Sequence, residues 1–581
     1  MENRKGLKAG IVVFMAIVVL FFPGCPQATD ETEDPGTKAG APFITVQPGD
    51  YQPAVNEQIF LTVEASVSDG GVLSYQWYKA DAVGVTGIEI AEAVNAWYDP
   101  PTDSPGTNYY YAEVSNSNNE TRTSTRSRYA TVFVLDPAAA GTPSGGFNIS
   151  VDTSENAKHQ FVRGFGGMIN AWGAPCPDVT ITDADTLFNP DKLGLNILRM
   201  IIYPEPLEDI MNGLVYTSID NSDLFDIGRL VNKYGGMIIG CPWNPPDGYK
   251  TASGHLDPNY YADMGNHLIT WVKKMEAGMG GGNKIFAISS QNEPDDNATW
   301  CIYTPEENLN FVKEVFPLIH QEIPHVKLFP GEYTSFNSSL YMPIVNDPEA
   351  LALVDGFAGH FYGGQIGERK DWAINAGKEV WMTEHLRNTN ANKSYDPTWA
   401  AVWDFAADFH TVMIHDYNAY VMWYAKRFYG LIGDSEPGVT NQRNGAPQLR
   451  GYFMSHYSKY AAGKYRYNAN WVGADWTSAA SEPANIRATA YADDNVITMV
   501  MFNNSTAASA TDTWVNIRLP VAIKTSFAVA TYNKGGPAPT NSALADTTAR
   551  MEPAPVVMSA DMKTASVKLN PSTILSVKFY K

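Results

Sequence analysis

The chain has 581 residues, and at about 150 residues per domain this length predicts three or four structural modules. Hydrophobic residues make up 44% and charged residues 18%, a composition that permits a large buried core and excludes a disordered or coiled-coil chain. Aspartate and glutamate total 62 against 41 lysines and arginines, and the resulting formal net charge of −21 disfavours nucleic acid as a partner.

Residues 1–25 have the pattern of a signal peptide. A basic start precedes an apolar run from Ile11 to Phe22, which is too short to cross the ~30 Å hydrocarbon core of a membrane as a helix. The run ends in the sequence FPGC, which resembles the lipidation site of bacterial lipoproteins, so we expect Cys25 to become a lipid anchor at the cell surface. Secretion with loss of Cys25 is the alternative. Residues 26–40 are predicted to form an acidic linker.

The other cysteines are Cys176, Cys241 and Cys301, which show neither a Cys-x-x-Cys motif nor the cysteine and histidine spacing of a metal site. We therefore predict no metal and no cofactor. Cys241 ends an apolar run and is expected to be a buried thiol, whereas a disulfide between Cys176 and Cys301 remains open.

Residues 41–137 are predicted to form an immunoglobulin-like β-sandwich. Short alternating runs bounded by turn residues predict strands at 60–65, 73–78, 109–114 and 129–134. The sequence YQWY and the tyrosine-rich run that follows it resemble bacterial immunoglobulin-like modules, in which the tryptophan packs between the sheets. We expect Trp77 to lie in the core, with a sugar-stacking role as the alternative. Residues 138–146 are rich in Ala, Gly, Pro and Ser and are predicted to be a linker.

Residues 147–461 alternate apolar strand patterns with helical patterns, which predicts an α/β fold of the (β/α)8 TIM-barrel class. One helical pattern covers 260–275. Another covers 305–319, where Thr304 is the expected N-cap and Glu307 occupies the capping-box position. The eight predicted barrel strands are Phe161–Met168, Ile197–Ile202, Met237–Trp243, Phe286–Glu293, Lys327–Tyr333, Val354–Tyr362, Glu379–His385 and Ala419–Tyr424.

Residues 462–581 return to alternating β patterns separated by turn residues. The predicted strands lie at 486–491, 496–502, 514–519 and 574–579. The predicted architecture is therefore a TIM barrel with an attached C-terminal β-sandwich and a separate N-terminal β-sandwich.

Two acidic residues close apolar strands of the predicted barrel. Glu293 is the last residue of the predicted fourth strand, and Glu384 is the last but one of the predicted seventh strand. Because the carboxyl-terminal strand ends form the active-site mouth of such a barrel, both carboxylates are expected to point at one bond. Paired carboxylates hydrolyse glycosidic bonds, one as general acid and the other as nucleophile or base. A single strand-end glutamate would more simply be a salt-bridge partner or a helix cap.

Six short motifs resemble those of glycoside hydrolase family 30, most closely its subfamily 8 of bacterial glucuronoxylan endo-1,4-β-xylanases. The motifs are, in chain order, Gly164–Met168, Pro242–Pro246, Ser290–Asp295, Gly359–Gly363, Trp381–Glu384 and Trp423–Gly430. The resemblance covers 146–581. It implies that a strand at about Phe147–Val151, which precedes the barrel, completes the C-terminal β-domain.

The resemblance also implies a retaining mechanism and assigns roles in it. Glu293 would be the acid/base, and Glu384 would be the nucleophile. Asn292 would hydrogen-bond the 2-hydroxyl of the sugar, a contact that strengthens in the transition state. Arg199 and Tyr362 would hold the carboxylate of the nucleophile.

A further set of residues is expected to contact the sugar chain at the barrel mouth. The candidates for substrate binding are Asn292, Arg199, Trp243, Trp300, His360, Tyr362, Trp423, Arg427 and Tyr429. Trp423 is the expected platform under the central sugar. For each tryptophan, packing at the barrel mouth is the alternative role.

Specificity depends on the loop after the eighth strand. Arg427 and Tyr429 have the spacing with which subfamily 8 is expected to hold the glucuronate branch of xylan, and a guanidinium can pair with a carboxylate through two hydrogen bonds. Leu386 stands where the family has a tyrosine for that branch, although Lys426, Arg387 or Arg443 could replace the contact. In the alternative, Arg427 pairs with acidic residues of its own loop, which are Asp434 and Glu436.

The leading hypothesis is a monomeric, extracellular or surface-bound enzyme that cleaves β-1,4 bonds in xylan or glucuronoxylan and touches a membrane through its lipid anchor alone. Another family 30 activity, such as that of a β-1,6-glucanase, a β-xylosidase or a glucosylceramidase, is the alternative within the same fold. The alternative from a different class is a surface lipoprotein that binds polysaccharide without cleaving it.

Overall fold

The computed structural model describes residues 38–119, 121–169, 178–214, 222–296, 300–363, 367–386, 399–436, 443–505, 513–532 and 551–581. The predicted signal peptide, Cys25 and Cys176 lie outside these ranges. Cys241 and Cys301 are both buried. No helix within the described residues has the length and the hydropathy needed to cross a membrane.

The N-terminal domain is built from short antiparallel strands around a small apolar core. Trp77 is completely buried there and stacks on Tyr98 with ring centroids 6.0 Å apart, so the core interpretation of Trp77 is confirmed. The strands are Phe43–Val46, Leu61–Thr62, Glu64–Ser66, Val72–Ala80, Ile88–Glu89, Trp97–Tyr98, Gly106–Asn118, Thr121–Arg126 and Ala130–Val134, and a short helix follows at Pro137–Ala140.

The central domain contains a parallel sheet to which the described residues contribute eight strands, and it forms the predicted TIM barrel. Consecutive strands are neighbours, the first pairs with the eighth, and a bridge between Tyr333 and Gly359 joins the fifth to the sixth. The strands are Gly164–Met168, Ile197–Ile202, Met237–Pro242, Ala287–Ser289, Lys327–Phe329, Gly356–His360, Glu379–Glu384 and Ala419–Met422. The predicted first strand is divided in the structure, because Lys158–Val162 pairs with Lys464–Val472 of the C-terminal domain and the barrel strand begins at Gly164. The regular pairing of the fourth and fifth strands ends four residues earlier than predicted, at Ser289 and Phe329.

Helices surround this barrel. Thr304 and Glu307 form the predicted capping box, in which each side chain accepts a hydrogen bond from the other residue's backbone N–H. The helix that it opens runs three residues beyond the predicted end at 319. The helices are Ile181–Phe188, Leu207–Met211, Leu224–Lys233, Tyr261–Met279, Pro305–Glu322, Ser338–Asn346, Pro348–Leu353, Asp371–Ile374, Trp399–Ile414 and Leu449–Tyr460, with 3-10 turns at Glu155–Ala157 and Pro258–Tyr260.

The C-terminal β-domain includes a strand from before the barrel, as predicted. Phe147–Asp152 pairs antiparallel with Lys464–Val472 and parallel with Trp514–Arg518, and it buries Ile149 and Val151 in the core of this domain. The other strands of this sheet system are Lys158–Val162, Ile486–Ala492, Val496–Asn503, Thr525–Tyr532, Glu552–Ala554, Val556–Met558, Thr564–Lys568 and Thr573–Tyr580. The barrel is therefore connected to this domain at both of its chain ends.

The N-terminal domain packs directly on the C-terminal β-domain. The Gln52 side chain donates to the Val556 carbonyl at 2.8 Å and accepts from the Val556 N–H at 3.0 Å. Asp50 forms ion pairs with Arg128 of its own domain at 3.0 Å and with Lys578 of the C-terminal domain at 3.7 Å. These buried polar contacts fix the position of the N-terminal domain on its neighbour.

Candidate active site

Glu384 is the last residue of the seventh barrel strand, and two donors hold its carboxylate at the mouth. Arg199 donates from Nη1 to Oε2 at 2.7 Å, and the Tyr362 hydroxyl donates to Oε1 at 2.8 Å. Burial raises the pKa of Tyr362, and the negative Glu384 raises it further, so the phenol keeps the proton that it donates. Both carboxylate oxygens are therefore oriented by fixed groups.

Glu293 lies four residues beyond the fourth strand, in a backbone conformation that non-glycine residues rarely adopt. Its φ angle is 44°, in the left-handed region, which is a strained position of the kind found at functional sites. Its backbone N–H donates to the Glu332 carbonyl at 2.7 Å, and its carbonyl accepts from the Asp296 N–H at 2.9 Å. These bonds hold the strained turn and aim the carboxylate at the centre of the mouth.

Glu293, His360 and Glu384 converge on a single point of this mouth. One side-chain nitrogen or oxygen atom from each residue lies within 4.8 Å of the corresponding atoms of the other two. His360 Nδ1 and Glu293 Oε1 are 2.9 Å apart. Burial lowers the pKa of His360, but the carboxylates of Glu384, Glu293 and Glu332 outweigh this effect and raise that pKa to about 9. The three side chains are of the types that ligate metal ions, so they are also the residues of this mouth that could hold one.

Glu332 is a buried carboxylate that the sequence analysis did not identify. It is 1% exposed, and it forms ion pairs with Arg199 at 2.9 Å and with His360 at 3.3 Å. Ser289 donates a short hydrogen bond to its other oxygen. Burial raises the pKa of Glu332, but Arg199 and His360 outweigh burial and lower that pKa below its ordinary value. Its position near the end of the predicted fifth strand was the available signal, since the same criterion identified Glu293 and Glu384.

Asn292 is fixed through its carbonyl oxygen, which leaves its amide nitrogen for a ligand. Oδ1 accepts from Arg199 Nη2 at 2.8 Å. Nδ2 is buried and has no hydrogen-bond partner among the described residues. A buried donor without a partner costs free energy, so a hydroxyl group placed there would be bound favourably.

Three predicted tryptophans gather on one side of the mouth. The Arg199 guanidinium lies 4.7 Å from the ring centroid of Trp243, and the Trp243 and Trp423 rings are 6.2 Å apart. Trp300 and Trp423 are partly buried and pack against the same apolar cluster as Trp243. The three rings form an aromatic surface beside the carboxylates. They also pack in one apolar cluster, as the alternative role predicted for them requires.

Arg427 is placed with the acidic residues of its own loop. Its Nη1 lies 2.8 Å from an Asp434 carboxylate oxygen and 2.7 Å from a Glu436 carboxylate oxygen, and the residue is 6% exposed. Tyr429 is partly buried, with the Arg427 guanidinium 6.0 Å from its ring centroid. This is the alternative arrangement that the sequence left open.

The other cations considered for an acidic branch are placed differently. Lys426 binds the Asp183 carboxylate at 2.7 Å and the Asp178 carbonyl at 2.6 Å, and it is 4% exposed. Arg387 lies outside the described residues. Leu386 donates its backbone N–H to the Tyr362 hydroxyl at 3.2 Å, and its apolar side chain offers no hydrogen bond to a branch.

A closed parallel barrel with two carboxylates facing each other at its carboxyl-terminal mouth defines the class of glycoside hydrolases. No protein-family model matches the chain. The sequence is 30% identical over 371 residues to glucuronoxylanase XynC of Bacillus subtilis strain 168, a match that covers 61% of this chain and 78% of that protein. The chain belongs to the family of these enzymes, glycoside hydrolase family 30.

Solved structures agree with this assignment. The glycoside hydrolase family 30 subfamily 8 xylanase Xyn30A from Clostridium acetobutylicum is 26% identical, with a TM-score of 0.57 over 75% of this chain and 100% of that one. A GH30 endoxylanase from Clostridium papyrosolvens C71 shares the fold at 22% identity, with a TM-score of 0.57 and the same coverage. About three quarters of this chain therefore cover the whole of each of these solved structures.

Proposed function

We propose that the protein is a retaining endo-β-1,4-xylanase that cleaves xylan by double displacement. The observation that carries this proposal is the short distance between the two carboxylates. One carboxylate oxygen of Glu293 lies within 4.8 Å of one carboxylate oxygen of Glu384. Retaining enzymes keep their carboxyl groups about 5 to 5.5 Å apart, whereas inverting enzymes leave about 6.5 to 9.5 Å for a water molecule. The xylan-cleaving relatives support the choice of substrate.

In the first step, Glu384 attacks the anomeric carbon while Glu293 protonates the oxygen of the leaving sugar. The bond from the anomeric carbon to that oxygen breaks, and a covalent ester of the glycosyl group with Glu384 forms. In the second step, Glu293 takes a proton from water, the water oxygen bonds to the anomeric carbon, and the Glu384 carboxylate leaves. Two inversions retain the configuration of the sugar.

The groups around the carboxylates support this sequence of steps. Arg199 and Tyr362 each donate a hydrogen bond to one oxygen of Glu384. These bonds orient the carboxylate before attack and stabilise its negative charge when the ester breaks. The buried Nδ2 of Asn292 is the proposed donor to the sugar 2-hydroxyl. Trp423 and Trp243 supply the proposed aromatic surface for the sugar rings.

The favoured specificity is for the xylan backbone without a required glucuronate branch. A glucuronate carboxylate that approached Arg427 would compete with the carboxylates of Asp434 and Glu436, which already pair with this guanidinium. Like charges disfavour the approach of a further carboxylate. Recognition of glucuronate is the second candidate, and the spacing of Arg427 and Tyr429 favours it.

Two substrates test the proposal. We expect the purified protein to release short oligosaccharides from glucuronoxylan and from an arabinoxylan free of glucuronate, and proton NMR should show the β-anomer as the first product. First release of the α-anomer would exclude retention. Products formed from glucuronoxylan alone, each carrying one glucuronate by mass spectrometry, would favour branch recognition by Arg427. Cleavage of neither polymer would exclude xylan as the substrate.

We also propose that the domain at 41–137 is immunoglobulin-like and that the enzyme is a monomer. A separate proposal is that Cys25 anchors the enzyme at the cell surface. The FPGC sequence supports the anchor, and the Cys25→Ala variant is expected to appear in the culture medium while the unaltered protein remains with the membrane fraction. Release of both forms to the same extent would contradict the anchor.

A further inference from the structure

Glu332 occupies the floor of the candidate active site, under both of its cations. One carboxylate oxygen, Oε2, receives Arg199 Nη2 at 2.9 Å and lies 3.3 Å from His360 Nε2. The other oxygen, Oε1, accepts from the Ser289 hydroxyl. Arg199 and His360 are both completely buried, so Glu332 is a counter-charge that water does not replace.

His360 connects Glu332 to Glu293 in a single hydrogen-bonded line. Its Nε2 faces Glu332, and its Nδ1 faces Oε1 of Glu293 at 2.9 Å. A neutral imidazole has one N–H group and one lone pair, so it cannot donate to two carboxylates at once. The arrangement therefore fits a doubly protonated His360.

The surroundings of His360 supply the charge balance for this cation. The titratable groups that face it are Glu293 after the fourth strand, Glu332 after the fifth, Tyr362 after the sixth and Glu384 on the seventh, with Arg199 of the second strand behind Glu332. When Glu293 carries the proton for the leaving group, the carboxylates of Glu332 and Glu384 balance the two cations, His360 and Arg199. Removal of one carboxylate would leave the imidazolium less stabilised.

The backbone of Glu332 also supports Glu293. The Glu332 carbonyl accepts from the Glu293 N–H at 2.7 Å, and the Glu332 N–H donates to the Gln291 carbonyl at 2.8 Å. These two bonds bracket the strained turn at Glu293. Side chain and backbone of one residue therefore act on the same carboxylate.

We propose that Glu332 is a positioning residue, which holds His360 so that Nδ1–H donates to Oε1 of Glu293 and leaves Oε2 to carry the proton for the leaving group. The inference rests on the proposed role of Glu293 as acid/base. If His360 loses its second proton, its Nδ1 becomes an acceptor and draws the Glu293 proton onto the inward oxygen. Glu293 then has no proton directed at the substrate.

The test is the pH dependence of kcat/KM on a xylo-oligosaccharide for the wild type and the Glu332→Gln variant. We expect the alkaline limb of the variant to move down by about one pH unit, because His360 loses a carboxylate partner. We expect no such shift when Glu332→Gln is added to a His360→Asn variant, since the path through the imidazole is then absent. Glu349→Gln, which alters an exposed glutamate paired with Lys313, is the matched control.

An unchanged alkaline limb in Glu332→Gln would overturn the inference. An equal shift when Glu332→Gln is added to His360→Asn would also overturn it, because the charge of Glu332 would then act on Glu293 without the imidazole. Should Glu332→Gln fail to fold, Glu332→Asp keeps the charge but withdraws the carboxylate from His360 by one methylene, and we expect a smaller shift in the same direction. No shift in that variant would likewise overturn the inference. Full activity of Glu293→Gln on the same substrate would instead contradict the proposed function.

Discussion

Arg199 shows how individual residues organise the site. Its guanidinium is fully buried and hydrogen-bonds Glu384, Glu332 and Asn292, while its face lies against Trp243. Burial lowers the pKa of Arg199, but Glu332 and Glu384 outweigh burial and raise that pKa above its ordinary value. A buried charge costs several kcal/mol unless partners offset the loss of water. The contacts that meet this requirement also set the position of the carboxylate proposed as nucleophile.

The Glu384→Gln variant is expected to lose turnover on xylan and to keep xylan binding. Glutamine has nearly the same shape as glutamate, but its amide is a poor nucleophile and cannot form the glycosyl ester. Reducing-sugar assays measure the loss, and affinity electrophoresis measures the binding. Persistent hydrolysis would remove Glu384 from the role of nucleophile.

The Glu293→Gln variant is expected to lose about 10²- to 10⁴-fold in kcat/KM on xylan, the usual contribution of general acid catalysis. The loss in glycosyl-enzyme formation should be much smaller on a nitrophenyl β-xyloside, because nitrophenolate leaves without a proton. Burst kinetics on that substrate separate the two steps. Equal losses in this step on both substrates would show that Glu293 does not protonate the leaving group.

The folded protein is expected to lose stability between pH 6.5 and about 9 because of His360. The pKa of His360 rises from 6.5 to about 9 on folding, so its contribution is fully present below pH 6.5 and disappears as the pH rises through about 9. The loss amounts to about 3 kcal/mol in the free energy of unfolding. Urea titrations across this range measure it, and the His360→Asn variant should lack this part of the slope. An equal slope in both proteins would contradict the prediction.

At the scale of elements, local sequence signals determine where a helix begins, whereas barrel geometry determines where a strand ends. The helix Pro305–Glu322 begins where its capping box predicts, because Thr304 and Glu307 satisfy backbone donors that the helix cannot satisfy itself. The fourth strand ends at Ser289, before the predicted end at Glu293. Its last predicted residues instead turn across the mouth, held by backbone bonds to Glu332 and Pro242. The chemistry therefore lies just beyond the regular sheet.

The Thr304→Ala variant is expected to weaken the start of this helix by about 1 kcal/mol, since alanine cannot accept the Glu307 N–H. Hydrogen exchange in the first helical turn should rise about fivefold, which mass spectrometry can follow. Thr186→Ala is a matched control, because the Thr186 hydroxyl bonds to the Thr182 carbonyl within a helix and caps nothing. Equal exchange in the two variants would contradict the role of the cap.

At the scale of the whole molecule, the domains are joined by buried polar contacts as well as by the chain. Phe147–Asp152 adds a strand to the C-terminal domain before the barrel begins. The N-terminal domain reaches the same C-terminal domain through Gln52 and Asp50, and reaches the barrel through the Tyr129 N–H, which donates to Asp191 at 3.0 Å. Burial raises the pKa of Asp50, but Arg128 and Lys578 outweigh burial and lower it.

The Asp50→Ala variant is expected to lose about 2 kcal/mol of stability, because the partly buried Arg128 and Lys578 would keep their charges without the carboxylate that they pair with. Urea unfolding and proteolysis within 138–146 both report the loss. Hydrolysis of xylan at moderate temperature should not change, since Asp50 contacts none of the proposed site residues. Glu349→Ala, at an exposed ion pair, is expected to have an effect below about 0.5 kcal/mol. Similar stability of the two variants would contradict a structural role for the interface.

The sequence by itself determined the barrel and the strand ends at which Glu293 and Glu384 lie, because apolar periodicity and residues at strand ends are local properties. The shared strand before the barrel was implied by the resemblance to the family and not by a local pattern. Trp77 was also assigned correctly to a core, because a strand with alternating apolar residues has one buried face.

Tertiary structure alone decided which charges meet. Glu332 lies 133 positions from Arg199 in the chain, and their contact exists because the barrel closes and brings the second and fifth strand ends to one mouth. The pairing of Arg427 with Asp434 and Glu436, and that of Asp50 with Lys578, likewise depend on how the chain folds back on itself. The partner of a buried charge is set by desolvation and distance in three dimensions, and neither quantity is encoded in a local pattern.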